Sequence, residues 1–234
     1  LTRSSAASDV YKRQIVTHVL ERDGAVVDDS GINITKLKKH ILDTGSIQGF
    51  DGFIESGLEM LEADADILIP AAMELVITKE NASRIKAPLI IEAANGPISF
   101  EADEILRNDN KVIIPDLYAN AGGVTVSYFE WIKNLSRIRF GRMQRRAEEN
   151  RLSNLIDGIE LMTGREFPEH LKSNALQGGA EIDLVRSGLE DTMRNTYETI
   201  SEVWNNEKVN CDMRTAAMMV AVKRIAQSYY SIGI

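Results

Sequence analysis

The sequence predicts an α/β fold on a parallel, doubly wound sheet, and three observations carry that prediction. Short apolar runs rich in β-branched residues recur at Ile15–Leu20, Asp66–Ile69, Leu89–Ile91 and Val112–Ile114, each the length of a buried strand rather than of a helix. Helical patterns and turns separate them, the alternation that parallel strands with crossover helices require. Two of the runs stop at a proline, Pro70 and Pro115, and small or amide-bearing residues follow. In an open α/β sheet that end of the strands is where ligands bind. The stretch from Val112 to Trp131 is the clearest case, reading as strand, turn and helix, with the helical pattern opening near Thr125. Its first-turn amides are expected to favour a carboxylate or phosphate.

Taken in order, residues 1–14 (LTRSSAASDVYKRQ) are polar and Ser-rich, lack strand or helix periodicity, and read as a foreign segment joined to the frame that follows. Ile15–Leu20 is the first strand, closed by Glu21-Arg22-Asp23-Gly24. Asp28-Asp29-Ser30-Gly31 is a turn, and Ile34–Leu42 is a surface helix anchored by Ile34, Leu37 and Ile41. Gly45–Phe53 carries several glycines but no feeding strand, so it reads as a connection rather than a phosphate loop. Asp66–Ile69 is buried strand running into Pro70-Ala71-Ala72. A short helix follows Thr78, then the strand Leu89–Ile91 ending at Glu92, and the turn Asn95-Gly96-Pro97. Asn95 and Asn120 both follow buried strands, which brings two amides to one rim. Tyr128, Phe129 and Trp131 read as packing. A charged helix begins after Gly141, Phe167-Pro168 and Gly178-Gly179 interrupt it, and Leu184–Trp204 and Met213–Tyr230 are long helices. Their stripe of Met213, Ala217, Met218, Met219, Val220 and Ile225 reads as core or interface.

Composition bounds the function. The chain has 234 residues, 44% hydrophobic, enough to bury a core. Its 35 acidic against 27 basic residues give a net charge of -8, which argues against nucleic acid as the main partner. The single Cys211 rules out an internal disulfide framework, and no apolar run is long enough to span a membrane. His18, His40 and His170 are scattered, and none has a Cys or a second histidine at ligand spacing beside it, so no metal site is expected.

The run PDLYANAGGVTVSYFEW (Pro115–Trp131), preceded by Glu92-Ala93-Ala94-Asn95-Gly96-Pro97, resembles the cofactor domain of the glutamate dehydrogenase family. The likeness extends from about Ile15 to Asp212-Met213-Arg214-Thr215-Ala216-Ala217 near the end. It implies a Rossmann-like sheet incomplete at its N-terminal strand over 15–140, a helical segment resembling the antenna of the hexameric animal-type enzymes over 141–183, and C-terminal helices over 184–234. It implies an NAD- or NADP-dependent oxidative deamination of L-glutamate to 2-oxoglutarate and ammonia by a homo-hexamer, in a bacterial cytoplasm or a mitochondrial matrix. Cofactor contacts carried over are Glu21 at the adenosine ribose, Ala71 and Ala72 beside the nicotinamide ribose, and Asn95 with Asn120. Val124 and Ser127, one helical turn apart, fall in the glutamate pocket, where the family's serine helps hold the side-chain carboxylate.

The family's glycine-rich phosphate loop and its catalytic lysine and aspartate fall upstream of Ile15. No catalytic residue is therefore assigned here, and the chain alone is expected to be inactive. Each assignment has a plain structural alternative: Glu21 as an exposed acid before a turn, the alanines as close packing, Asn95 as a turn residue, Ser127 as a cap. The runner-up for the whole chain is a non-catalytic nucleotide-binding or oligomerisation fragment. A dehydrogenase for apolar amino acids is disfavoured by Ser127.

Overall fold

The computed structural model describes residues 14–55, 57–136, 142–168, 171–172 and 181–233. The segment up to residue 13, His170 and Gly178-Gly179 lie outside them. The chain folds as two compact units: residues 1–120 with 211–234, and residues 121–210.

Among its described residues the first unit carries two small sheets. β1 (His18–Glu21), β2 (Gly24–Val27) and β3 (Phe53–Ile54) form an antiparallel sheet in that order; β4 (Ile67–Leu68), β5 (Leu89–Ile91) and β6 (Val112–Ile114) form a parallel one. The α/β reading with a parallel Rossmann-like sheet therefore holds. The first predicted strand forms but pairs elsewhere: Glu21 faces Gly24 across a two-residue loop, and His18 faces Val27. Arg22 and Asp23 supply that tight turn, so the chain folds back into a hairpin instead of crossing over to the parallel sheet. Leu20 still packs on the parallel sheet's core.

β5 is the centre of the parallel sheet. Leu68 and Ile113 flank Ile90, which is inaccessible to solvent. Around it Leu61, Ile77, Ile85, Ile98, Ala102 and Leu106 make one core; a second joins Val26, Ile32, Ile34, Leu37 and Ile47 under the antiparallel sheet. Helix α1 (Ile34–Thr44) supplies the latter, started by Asn33, whose Oδ1 accepts from the Lys36 amide at 3.0 Å, and stopped by Gly45 in the left-handed conformation. Helix α2 (Phe100–Asn108), capped by Ser99, turns Ala102 and Leu106 inward. The helix expected after Thr78 is a 3₁₀ turn, Ala82–Arg84.

The expected helix opening near Thr125 moves upstream. Helix α3 (Asp116–Ala119) starts directly after β6, and α4 (Ala121–Ser136) follows it at once, so Gly122 and Gly123 are helical rather than a free turn. The last helix of the first unit, α7 (Met213–Ser231), comes after α5 (Arg142–Thr163) and α6 (Glu181–Trp204) of the second. Its cap is Asp212, whose Oδ1 accepts from the Thr215 amide and whose Oδ2 accepts from the Thr215 hydroxyl, both at 2.9 Å. Partial burial would raise the Asp212 pKa, but those bonds and the Arg107 charge outweigh it and hold the carboxyl below its usual range. Met213, Ala216, Ala217 and Val220 form the buried stripe, at helical spacing, while Met218, Met219 and Ile225 are exposed.

In the second unit α4 packs on α6 through a glycine on each. A side chain at Gly122 would meet Leu189 at 3.6 Å, and one at Gly188 would meet Phe129 at 3.7 Å. Phe129 is thus packing, as expected. Tyr128 and Trp131 stack on each other at 5.8 Å between centroids and stay about half exposed.

Candidate functional site

The carboxyl ends of β4, β5 and β6 are stitched into one rim. The Pro70 carbonyl after β4 accepts from the Ala93 and Ala94 amides after β5, at 3.0 and 2.9 Å. The Asn120 Nδ2 donates to Asn95 Oδ1 at 2.6 Å and reaches the Ala94 carbonyl at 3.4 Å. The two amides that the sequence places after buried strands therefore meet. Ala71 and Ala72 sit exposed in the loop beyond Pro70, not in a tightly packed helix. Glu21 lies at the hairpin end of the antiparallel sheet, opposite Gly24.

Beneath the rim is a charge cluster. Glu92, the residue after β5, is inaccessible to solvent, yet it is a carboxylate. Its Oε1 accepts from Arg214 at 2.8 Å, and its Oε2 from the Asp116 backbone amide at 2.8 Å. Arg214, from α7, also donates to Asp103 at 3.2 and 3.3 Å and to Asp116 Oδ1 at 3.3 Å. Asp116 Oδ2 accepts from the Gly96 amide at 2.8 Å, and Asp103 Oδ2 from Arg107 at 2.6 Å. Burial alone would lower the Arg214 pKa; the Glu92 hydrogen bond and charge, with Asp103, reverse that and raise it above its ordinary value, so the guanidinium stays charged.

This arrangement corrects one expectation. The amides at the start of α3 do not await an anion: that of Asp116 is taken by Glu92, that of Leu117 by Asp116 Oδ1, and those of Tyr118 and Ala119 by the Pro115 carbonyl. Two carboxylates also stand at that helix start, which disfavours phosphate. No local pattern in the sequence marks Arg214, Asp103 or Asp116. The one signal that pointed to them is an acid, Glu92, placed at the end of an unbroken apolar strand, where an uncompensated charge is costly.

In the helical unit, Val124 and Ser127 lie one turn apart on α4, both exposed. The Ser127 hydroxyl donates to the Gly123 carbonyl of its own helix at 3.1 Å. A shallow depression between Glu62, Arg84, Lys86, Asp109 and Lys111 opens at the other end of the parallel strands, where Arg84 and Glu62 form a two-pronged ion pair. It is remote from the rim. Among the described residues no helix is long and apolar enough to cross a membrane.

The chain has relatives. The profile of the glutamate/leucine/phenylalanine/valine dehydrogenases matches residues 5–160. A probable glutamate dehydrogenase of Sinorhizobium fredii is 51% identical over 213 residues, covering 90% of this chain and 48% of that protein. The mitochondrial glutamate dehydrogenase of Dictyostelium discoideum is 46% identical over 220 residues, 93% of this chain and 43% of its own length. The chain thus spans about half the length of these curated relatives. Among solved structures, the hetero-hexameric glutamate dehydrogenase from Thermus thermophilus matches with a TM-score of 0.72 at 19% identity, over 98% of this chain and 44% of that one, a likeness of fold. With a profile matched across most of its length, this chain belongs to the glutamate/leucine/phenylalanine/valine dehydrogenase family.

Proposed function

We propose that this chain supplies the nicotinamide end of the NAD(P) site, and part of the glutamate pocket, of an enzyme that oxidatively deaminates L-glutamate to 2-oxoglutarate and ammonia. One observation carries the reading. The Asn120–Asn95 bond uses one donor and one acceptor of the pair, leaving Asn95 Nδ2 and Asn120 Oδ1 without a protein partner among the described residues. An adjacent donor and acceptor complement a carboxamide, which offers one of each. The exposed Ala71 and Ala72 on the neighbouring loop put no bulk in the way of a flat ring.

The rim residues fit the nicotinamide half of a dinucleotide and not its pyrophosphate, because the α3 amides are already taken and acids stand beside them. In this reading Asn95 and Asn120 orient the carboxamide, Ala71 and Ala72 flank the ribose, and Glu21 serves the adenosine ribose. The bound nicotinamide supplies the hydride acceptor. Val124 and Ser127 bear on the substrate: the Ser127 hydroxyl turns from the Gly123 carbonyl to donate to the glutamate side-chain carboxylate, with Val124 as the apolar wall beside it. In an intact enzyme carrying this domain, Ser127→Val is expected to raise the glutamate KM about tenfold, the worth of one charge-assisted hydrogen bond. The cofactor KM stays as it was. An unchanged glutamate KM removes the role.

The intact enzyme assembles as a hexamer, in the cytoplasm of a bacterium or in the mitochondrial matrix. The chain alone, about half the length of its relatives, turns over no glutamate. A second reading, an assembly fragment without cofactor, is favoured by the exposed Val222, Ile225, Tyr229 and Tyr230 on α7. Titration of the chain with NADH, followed by cofactor fluorescence, separates the two. Weak saturable binding that Asn120→Ala reduces about tenfold, the loss of an oriented hydrogen bond, supports the cofactor reading. No binding by the unaltered chain leaves the assembly reading.

A further inference from the structure

We propose that Arg214 is a positioning residue for the rim: from the distant helix α7 it holds the Asn95–Gly96 turn against the start of α3, and so sets the amide pair formed by Asn95 and Asn120. The proposal rests on the reading of that pair as a cofactor contact.

The connection runs through the carboxylates. Three of them, from three different elements, converge on one guanidinium: Glu92 from the end of β5, Asp103 from α2 and Asp116 from α3. Without a cation at their centre, carboxylates this close repel one another. The guanidinium therefore fixes where each acid lies. Two of the acids pass that position on to backbone. Glu92 holds the Asp116 amide through its second oxygen, and Asp116 holds the Gly96 amide through its own. Gly96 is the residue after Asn95 and sits at φ 51, a left-handed conformation from which a glycine swings easily. Its amide is tied down by Asp116 and its carbonyl by the Leu75 amide, at 2.8 and 2.9 Å. Asn120 closes the circuit: it ends α3, whose first residue is Asp116, and its side chain reaches back to Asn95. One cation thus governs both ends of the amide pair. Lysine is not equivalent, since a single ammonium cannot fork to three acids from a fixed plane.

The test compares Arg214→Lys, Asp116→Ala and Asp116→Asn in the full chain. The readouts are 1H–15N NMR of the Gly96 amide and the Asn120 side-chain amide, and the NADH dissociation constant. Arg214→Lys and Asp116→Ala are expected to move both resonances and to speed Gly96 exchange about tenfold, as a local hydrogen bond opens while the Ile90 amide of β5 stays protected. Asp116→Asn, which keeps an acceptor for Gly96, restores the Gly96 resonance towards its original position. NADH affinity falls about tenfold in Arg214→Lys, the worth of one well-oriented hydrogen bond. Unmoved Gly96 and Asn120 resonances in a folded Arg214→Lys protein overturn the proposal, and so do moved resonances with unchanged NADH affinity. Should Asp116→Ala fail to fold, Arg214→Lys carries the comparison. If the unaltered chain binds no NADH, the cofactor reading falls by itself, and the Gly96 resonance alone decides whether Arg214 positions the turn.

Discussion

Arg214→Met is expected to destabilise the sheet-bearing unit by about 3 kcal/mol, the lower end of what breaking a buried ion pair costs. Glu92 has no solvent exposure, so its carboxylate would lose its charge partner with no water to replace it. Asp103 and Asp116 would lose the same cation but are 14% and 19% exposed, so water takes up part of their loss. That is why the lower end of the range applies. The double variant Glu92→Gln with Arg214→Met is expected to recover a large part of the stability, because the neutral amide still accepts from the Asp116 amide and leaves no buried charge. The measurement must report on the correct unit. Trp131 and Trp204 both belong to the helical unit, so their fluorescence would miss the loss. Hydrogen exchange at the β5 amides reads it directly. A double variant no more stable than Arg214→Met would show that the uncompensated charge on Glu92 is not the source of the cost.

The contrast between this cluster and the rim explains what the sequence disclosed. The parallel strands were legible because Leu89–Ile91 and Val112–Ile114 are short, unbroken apolar runs, although only the face carrying Ile90 and Ile113 is fully buried and Val112 is exposed. The amide pair was legible because Asn95 and Asn120 each follow the carboxyl end of one of two adjacent strands, Asn95 in a turn and Asn120 at the end of a short helix. Arg214 and Glu92 are 122 positions apart, and no local pattern announces their meeting. On α7 the arginine follows Asp212-Met213 and reads as an ordinary charge in a first turn. The partner of β1 was hidden differently. An apolar run fixes that a strand forms, not which neighbour it pairs with, and Glu21-Arg22-Asp23-Gly24 read as a stop rather than as the two-residue loop of a hairpin. The helix start after β6 is not readable from the sequence because Asn120-Ala121-Gly122-Gly123 has the composition of a turn, whereas Gly122 packs on Leu189 of α6 from within a helix.

That hairpin is the place where one methyl group is expected to do the most damage. Gly24 sits at φ 142, a conformation essentially closed to residues with a side chain, and a Cβ there would fall on the Ile54 carbonyl oxygen and the Phe53 ring. The oxygen is backbone of the neighbouring strand, paired to β2 through Ala25 and Ile54, so it cannot swing aside as a side chain would. Gly24→Ala is therefore expected to cost about 3 kcal/mol, strain and clash together. Gly49 provides the control. It too has a positive φ, 76, but a Cβ there meets nothing within 4 Å. Gly49→Ala is expected to cost only about 1 kcal/mol, from torsion alone. Hydrogen exchange separates the outcomes: in Gly24→Ala the amides of β2 and β3 lose protection first, while β5 and β6, built on a different core, hold theirs. Equal losses at the two glycines would mean that torsion alone matters and that β3 yields to the added methyl. The larger loss expected at Gly24 instead places the cost on the close approach of two strands, which also fixes Glu21 at the end of β1, since Gly24 is the residue it faces.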